Sequence, residues 1–578
     1  MKKTLTFSKN FSALDFSYPS IYLGSSRSSN NSNILYDEYF PNIEDKIKGH
    51  DFCQKIYNSL ILDLSKDLNT FHKLDYPIRS WNIILGSWLR TFIHKVYENY
   101  YILDKVFKNY EIEEIFAFHP EEYDLYTFNC LSLEFALVNE DWNCALNSKI
   151  INFLDLEKKV IFKKSNENFL FNQIKTHTPK RGVVFKILNL IGIFCNYLKK
   201  NKYACIYKTN LSLISEKKLE IKMGQLPQFF GDEKEISFRP FDKNLRKNIS
   251  LKNLSSESKF EEFIRMILPL SLPNFVLESF KKINTLSEKS IFPKSPKIIF
   301  TSEAFLYDDI FKFYAAKRVQ DGVPYFIGQH GNCYFTHAHN NYAPEMTTGD
   351  KFLSWGVKGN KNIVPICNLK IIGKSKLFNN NGKFLAVFPP FAIAGQPMFD
   401  VPAHEKGSYE SGIKILSKLG KKIKSQTLAR LFATYRYESE PVYHEQIKKL
   451  NINIDDGNRT MRSLLKKSRL SFFTYDCTGI LENLALNIPT VCYWDNTFGF
   501  INPRFVDVYK LLIKAKILFE DSDDLVKHIE NNWLDINKWW MSANTQNCIK
   551  EFNSKINIPP QEHSLDYLKK VLNKEVRL

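Results

Sequence analysis

The sequence predicts an α/β protein made of two doubly wound domains that face each other across a cleft. Three observations lead there. The chain has 578 residues, more than one hydrophobic core serves, so two or more large domains are expected. Short apolar strands alternate with helix-patterned stretches in both halves, as in parallel sheets covered by helices on either face. Polar, glycine-bearing loops follow strands in each half, and such strand ends are where open α/β sheets bind ligands.

Along the chain, Tyr18–Gly24 reads as a first strand running into a glycine turn. Asn33–Tyr110 carries helical periodicity centred on WNIILGSWLRTFIHKVYENYYIL, and Ile112–Phe118 is a short strand ending at His119-Pro120. Asn166–Arg181 and Phe238–Ser258 are polar and aperiodic, hence loops. Val183–Leu198 is apolar but shorter than a membrane span. Lys186, Asn189 and Asn196 interrupt it and, with Lys200, recur on one helical face, so it reads as a core or interfacial amphipathic helix. Pro296–Thr301, Leu306–Val319 and Pro324–Gly328 form a βαβ unit. After Gly373 the linker KSKLFNNNGK leads to a new series: a strand at Phe384–Phe388, a helix near Tyr409–Leu419, a strand near Leu431–Tyr435, and a final unit at Arg469–Trp494. The domains are accordingly set at residues 1–373 and 374–578, with a helical elaboration at the amino end.

The composition narrows the function. The net charge is +18 and the isoelectric point about 9.1. That balance suits nucleic acid, an anionic membrane surface or a phosphorylated substrate. There is no dense Arg/Lys block, zinc-finger spacing or RNA-binding aromatic motif, which speaks against nucleic acid. The ten cysteines form no CxxC pair and fall mostly in apolar runs (Cys195, Cys205, Cys492), as free thiols in a reducing cytoplasm do. The start, with two lysines, has no apolar signal-peptide core. Without GxxxxGK[ST], GxGxxG after a strand, or GxSxG, the kinase-like, dinucleotide and serine-hydrolase readings lack their main signals.

The segment RLSFFTYDCTGILENLALNIPTVCYW, Arg469–Trp494, parses as strand, tight loop, helix, strand. Asp476-Cys477-Thr478-Gly479 supplies small and capping residues for the turn. Backbone N–H groups at such a helix start seat a phosphate. Glu482, one turn after Thr478, lies on the same face and reaches toward a ribose. An ordinary capped βαβ unit is the competing reading. In the other half, Gly328-Gln329-His330-Gly331-Asn332 directly follows a strand, with Glu345 and Asp350 downstream. His330 with Glu345 or Asp350 suits holding a hydroxyl and taking its proton; a tight turn with one solvated histidine is the alternative. Arg436, after the strand near Leu431–Tyr435, suits phosphate or carboxylate, or an exposed ion pair with Glu438 or Glu440. His119-Pro120-Glu121-Glu122 is a further cleft candidate, equally explained as a helix start. Gln329, Gly331 and Asp476 complete the candidates. No spacing is diagnostic of a metal site, and no cofactor is expected.

These motifs, taken in order, carry a resemblance. The chain resembles transferases of bacterial O-antigen and surface-polysaccharide gene clusters, leptospiral ones included. The likeness runs from YLG and LNTFH through RSWNIILGSWL, IGQHGN, DKFLSWG, RYESE and YDCTGILENLALNIPTVCYWDN to Trp539-Trp540. It implies a metal-independent glycosyltransferase with two facing Rossmann-like domains, the glycosyltransferase B architecture. The nucleotide-sugar donor would sit in residues 374–578, on Thr478, Gly479, Glu482 and Arg436. A glycan or lipid-linked glycan acceptor would meet His330 with Glu345 or Asp350 from residues 1–373. Gene neighbourhoods imply CMP-activated 3-deoxy-octulosonic or nonulosonic acids as donors. Asn332 and Phe335 stand where the family often has glycine, and Cys477 where it has serine. Two other readings remain at this point: transfer of a non-sugar group to a surface sugar, and a non-catalytic glycan-binding or assembly protein.

Overall fold

The computed structural model describes residues 2–8, 11, 16–23, 43–163, 187, 203–229, 236–251, 256–337, 343–389, 405–431, 441–494 apart from 456 and 458, and 499–574. Three parallel sheets organise them. The first holds β1 (Lys3–Thr6), β2 (Ser20–Tyr22), β3 (Ile112–Phe118) and β4 (Lys159–Lys163) in the order β2-β1-β3-β4. The second runs β5 (Ala204–Ile206), β6 (Ile298–Thr301), β7 (Tyr325–Gly328), β8 (Lys351–Ser354), β9 (Ile363–Pro365) in simple succession. The third holds β10 (Lys383–Val387), β11 (Thr427–Arg430), β12 (Asn453–Asp455), β13 (Ser468–Phe473), β14 (Thr490–Tyr493) and β15 (Leu518–Phe519), ordered β12-β11-β10-β13-β14-β15. Its strands β10 and β13 are buried along most of their length, and β6 and β7 of the second sheet are buried at every position. Continuous buried runs of this kind suit parallel strands covered on both faces.

The two Rossmann-like sheets are those the sequence led one to expect. The amino-terminal elaboration is more than helical, since it carries the first sheet. Two long helices, α1 (Ile43–His72) and α2 (Ile78–Asn109), divide the expected helical stretch. Asn69 holds the turn between them: its amide donates to Tyr76 O (2.9 Å) and its Oδ1 accepts from Tyr76 N and Trp81 Nε1. Pro77 then starts α2, where its missing N–H costs nothing. Shorter helices α3 (Cys130–Val138) and α4 (Glu140–Leu154) follow β3, both started by Asn caps.

Two expectations need correcting, and a third falls largely outside the described residues. Tyr18–Gly24 contains the second strand, not the first; β1 precedes it, and its four residues with one lysine are too few to stand out. Of the strand expected near Leu431–Tyr435 only Leu431 is described; it directly follows β11, and residues 432–435 lie outside the described residues. Within Phe238–Ser258 a four-residue helix, Lys243–Arg246, is capped by Asp242. Asn166–Arg181 and, apart from Ile187, Val183–Leu198 lie outside the described residues. Among the described residues no helix is long and apolar enough to cross a membrane.

The chain passes from the second sheet to the third through residues 366–382 and comes back at its end. Ile558 N donates to Trp355 O (2.6 Å), Asn557 pairs with Gly356, and Asn368 N donates to Ile558 O (2.9 Å). A side chain on Gly356, at φ 158°, would meet Asn557 N at 3.0 Å, so the returning chain needs glycine there. The helix Ser564–Lys574 then packs on the helix Leu213–Lys222 beside β5, with Lys222 paired to Asp566 (2.6 Å).

Candidate active site where two strand-end loops meet

Counted within itself, the third sheet has the strand order 3-2-1-4-5-6 of dinucleotide-binding folds. Its order reverses between β10 and β13, and ligands of such sheets bind at the carboxyl ends of the strands flanking that reversal. The loop Thr474–Cys477 lies at the end of β13 and opens the helix Thr478–Ala485. Cys477 is the N-cap, in extended conformation and without a side-chain cap bond. Burial pushes its thiol up to about 12, against the opposing pull of the Ile480 N–H. A methyl group on Gly479 would come within 3.0 Å of the Phe473 ring, so glycine lets the helix start lie against the strand end. Glu482, one turn on, reaches Lys374 of the linker at 3.5 Å, both side chains about 30% exposed.

The second loop follows β7. Gln329 frames it: its backbone N donates to Leu353 O (2.9 Å), its amide to Gly331 O (2.8 Å), and its Oε1 accepts from Trp355 N (2.9 Å). Gly328 stands so close to Ser302 that a Cβ would lie 2.4 Å from its hydroxyl. His330 leaves this frame toward a cavity of about 320 Å³ lined by His330, Tyr334, Glu345, Arg90, Glu134 and Tyr307, among others. Its Nδ1 lies 2.8 Å from Tyr334 Oη, and Tyr334 Oη donates to Glu345 Oε1 at 2.5 Å. Burial, with repulsion from Lys370 added, lowers His330 to about 4, so the ring is neutral at pH 7. Burial and Glu345 keep the Tyr334 hydroxyl protonated.

The two loops touch. Asn332 N donates to Thr478 Oγ1 (3.0 Å), and a Cβ on Gly331 would lie 3.3 Å from the same oxygen. Asp476, buried, accepts from Asn332 Nδ2 (2.7 Å), His337 Nε2 (2.8 Å) and Tyr509 Oη (2.8 Å). Asp476 therefore ties the loops together rather than capping the helix. His330 faces the cavity while the next two residues face the helix start, so one short loop separates the cavity from the start of the helix Thr478–Ala485.

Not every candidate joins this site. Asp350 accepts from Tyr325 N (2.7 Å) and pairs with Arg79 (3.0 Å) at the amino ends of β7 and β8. In parallel strands that edge is opposite the one bearing His330, so of the two carboxylates only Glu345 is linked to the histidine, through Tyr334. His119 is exposed at the end of β3, beside Phe162 and with Nδ1 accepting from Glu121 N, and does not line the cavity. Arg436, with Glu438 and Glu440, lies outside the described residues. Tyr334 and Arg90 were not singled out in the sequence. Arg90 had a signal, a cation inside the apolar run WNIILGSWLR, and it is buried in α2. Tyr334 had none, since its role depends on a partner eleven residues away. Among the described residues no group of three or more His, Cys, Asp or Glu is placed to hold a metal ion.

Comparison with known proteins gives one strong match. The model of the LIC12162 family transferases matches residues 1–571. No curated protein matches. Among solved structures the chain is distantly similar to a UDP-forming α,α-trehalose-phosphate synthase from Burkholderia xenovorans, at 11% identity and TM-score 0.30 over 52% of this chain and 78% of that one. It is similar to a variant of the wall teichoic acid polymerase TagF at 11% and 0.31, over 68% and 97%. It is similar to WaaG, a glycosyltransferase of lipopolysaccharide biosynthesis, at 8% and 0.29, over 64% and 98%.

Proposed function

The chain belongs to the LIC12162 family of transferases, and from that premise we propose that it is a glycosyltransferase, moving a sugar from a nucleotide donor to a bacterial surface glycan. The observation that carries this reading is the contact of two strand-end loops. One lies at the reversal point of a sheet with dinucleotide-binding order, and the other presents a neutral histidine to a cavity. Donor and acceptor chemistry need just such a pair of seats, one for a diphosphate or monophosphate, one for a hydroxyl.

In this reading residues 374–578 hold the donor and residues 1–373 the acceptor. The helix start at Thr478 and Gly479 takes the phosphate, Arg436 adds positive charge, and Glu482 exchanges Lys374 for a ribose hydroxyl. His330 accepts the proton of the acceptor hydroxyl as its oxygen attacks the anomeric carbon. The bond from that carbon to the phosphate oxygen breaks, and the charge arriving on phosphate is met by the helix N–H groups. Glu345 backs the histidine. No metal is needed for these steps, and a CMP-linked acidic sugar is the donor the resemblance favours. The surplus of basic residues docks the protein at the inner face of the membrane, from which salt at about 1 M should release it.

The test is a thermal-shift panel of CMP-, UDP- and GDP-sugars, followed by single-turnover transfer to a membrane glycan fraction. The His330→Ala protein should keep nucleotide affinity and lose about 100- to 10,000-fold in transfer. Near-parental transfer would assign His330 to structure. Nucleotide binding without transfer to any glycan would favour a glycan-binding or assembly role.

A further inference from the structure

We propose that Tyr334 is a positioning residue that fixes His330 in its Nδ1–H tautomer and so leaves Nε2 as the proton acceptor facing the cavity. The argument is a count of protons. Tyr334 has one hydroxyl hydrogen and two close neighbours, Glu345 Oε1 at 2.5 Å and His330 Nδ1 at 2.8 Å. Tyr334 Oη donates to Glu345 Oε1, so the tyrosine hydrogen is committed to the carboxylate. The Tyr334 oxygen then has lone pairs alone to offer His330. Nδ1 must be the donor, and in a neutral ring Nε2 is bare. Nε2 has no hydrogen-bond partner among the described residues, and the ring lines the cavity.

The arrangement also answers a difficulty. A buried imidazole stays neutral at pH 7 but is a weak base on its own. When Nε2 takes a proton, the new positive charge can be shared through Nδ1–H and Tyr334 toward Glu345, as a buried acid steadies the imidazolium of a hydrolase triad. Tyr334 stands between the two groups and never gives up its own proton. The ring is held as well as tuned: Phe305 packs edge-on at 5.9 Å and Tyr334 at 5.3 Å, so the lone pair keeps one direction. Glu345 lies in the first turn of the short helix Pro344–Thr348, which packs against α2. The relay therefore spans the loop after β7 and a separate helix.

The inference rests on the reading of His330 as the base, and the experiment separates the two. Nitrogen-15 shifts of histidine in the ligand-free protein report the tautomer without any substrate. The parent should show His330 as Nδ1–H. Tyr334→Phe and Glu345→Gln, each checked for an unchanged circular dichroism spectrum, should shift it to a mixture or to Nε2–H. An Nε2–H ring in the parent, or a tautomer unmoved by both changes, overturns the inference. In the transfer assay with the CMP-, UDP- and GDP-sugar panel, Tyr334→Phe should lower kcat about 10- to 100-fold with KM little changed. The acid limb of its pH profile should also move. A switched tautomer with undiminished transfer would uphold the positioning role and refute His330 as the base.

Discussion

Replacing Asp476 by alanine tests whether the two loops are held in register by one carboxylate. Three donors end on it at 2.7 to 2.8 Å: Asn332 and His337 from the second sheet's loop, and Tyr509 from its own half. Hydrogen bonds to a charged group contribute about 1.5–3 kcal/mol each, and a stranded buried donor costs about 1–3 kcal/mol. The three share one site and water enters the space left, so the terms do not add fully. A loss of about 4 kcal/mol is expected for the loop contact. The reporter is amide exchange at Asn332, whose N–H donates to Thr478 Oγ1 across the contact. If opening of the contact governs exchange, that loss accelerates it roughly 1,000-fold. Asp476→Asn should fall between, since its amide oxygen serves one side of the cluster while its NH₂ meets donors on the other. Exchange in the alanine protein within about threefold of the parent would refute the idea that Asp476 registers the loops.

Other outcomes follow from the same geometry. A nucleotide at about 100 times its dissociation constant should stabilise the protein by about 2.7 kcal/mol, and Glu482→Ala should reduce that shift without unfolding the chain; equal binding by parent and variant would move the ribose elsewhere. Transfer should survive a chelator, because helix N–H groups and Arg436 meet the phosphate charge in the proposed mechanism; activity lost to chelator and regained with magnesium or manganese would rule that out. Burial lowers His72, His330 and His528 from 6.5 to about 4. Between those values the unfolded chain binds protons that the folded one refuses, so stability should fall as pH drops from about 6.5 to about 4, by up to about 1.4 kcal/mol per pH unit for each ring. A thermal midpoint flat across that window would contradict it.

What could be read in advance follows from how local each signal was. Strands β6, β7, β10 and β13 announce themselves as apolar runs, and the βαβ units follow. Strands β1 and β4, KTLT and KVIFK, are short and lysine-bearing, so of the first sheet only β2 and β3 were read, as two strands separated by a helical stretch. The site divides likewise. His330 and Thr478 stand out because glycines and strand ends mark them. Asp350 was grouped with His330 by proximity in sequence, which hides that a strand's start and end face opposite edges. Asp476 looked like a helix cap, but its partners lie 139 and 144 residues upstream and 33 downstream.

The return of the chain at Asn557 has a mechanical consequence. Two segments cross between the second and third sheets, and they run side by side: Asn368 Nδ2 reaches Asn557 Oδ1 at 3.1 Å. Asn557, fully buried, also donates to the Leu481 carbonyl (2.8 Å) in the helix that bears Thr478 and Glu482. A pair of adjacent ties forms a hinge pin rather than a loose tether. Any swing that parts Thr478 from Asn332 must turn about that pin, so access to the space between the loops becomes a single angular variable. A chain cut after residue 556 would lose one tie and the anchoring helix Ser564–Lys574, and with them the constraint that makes opening and closing follow one path.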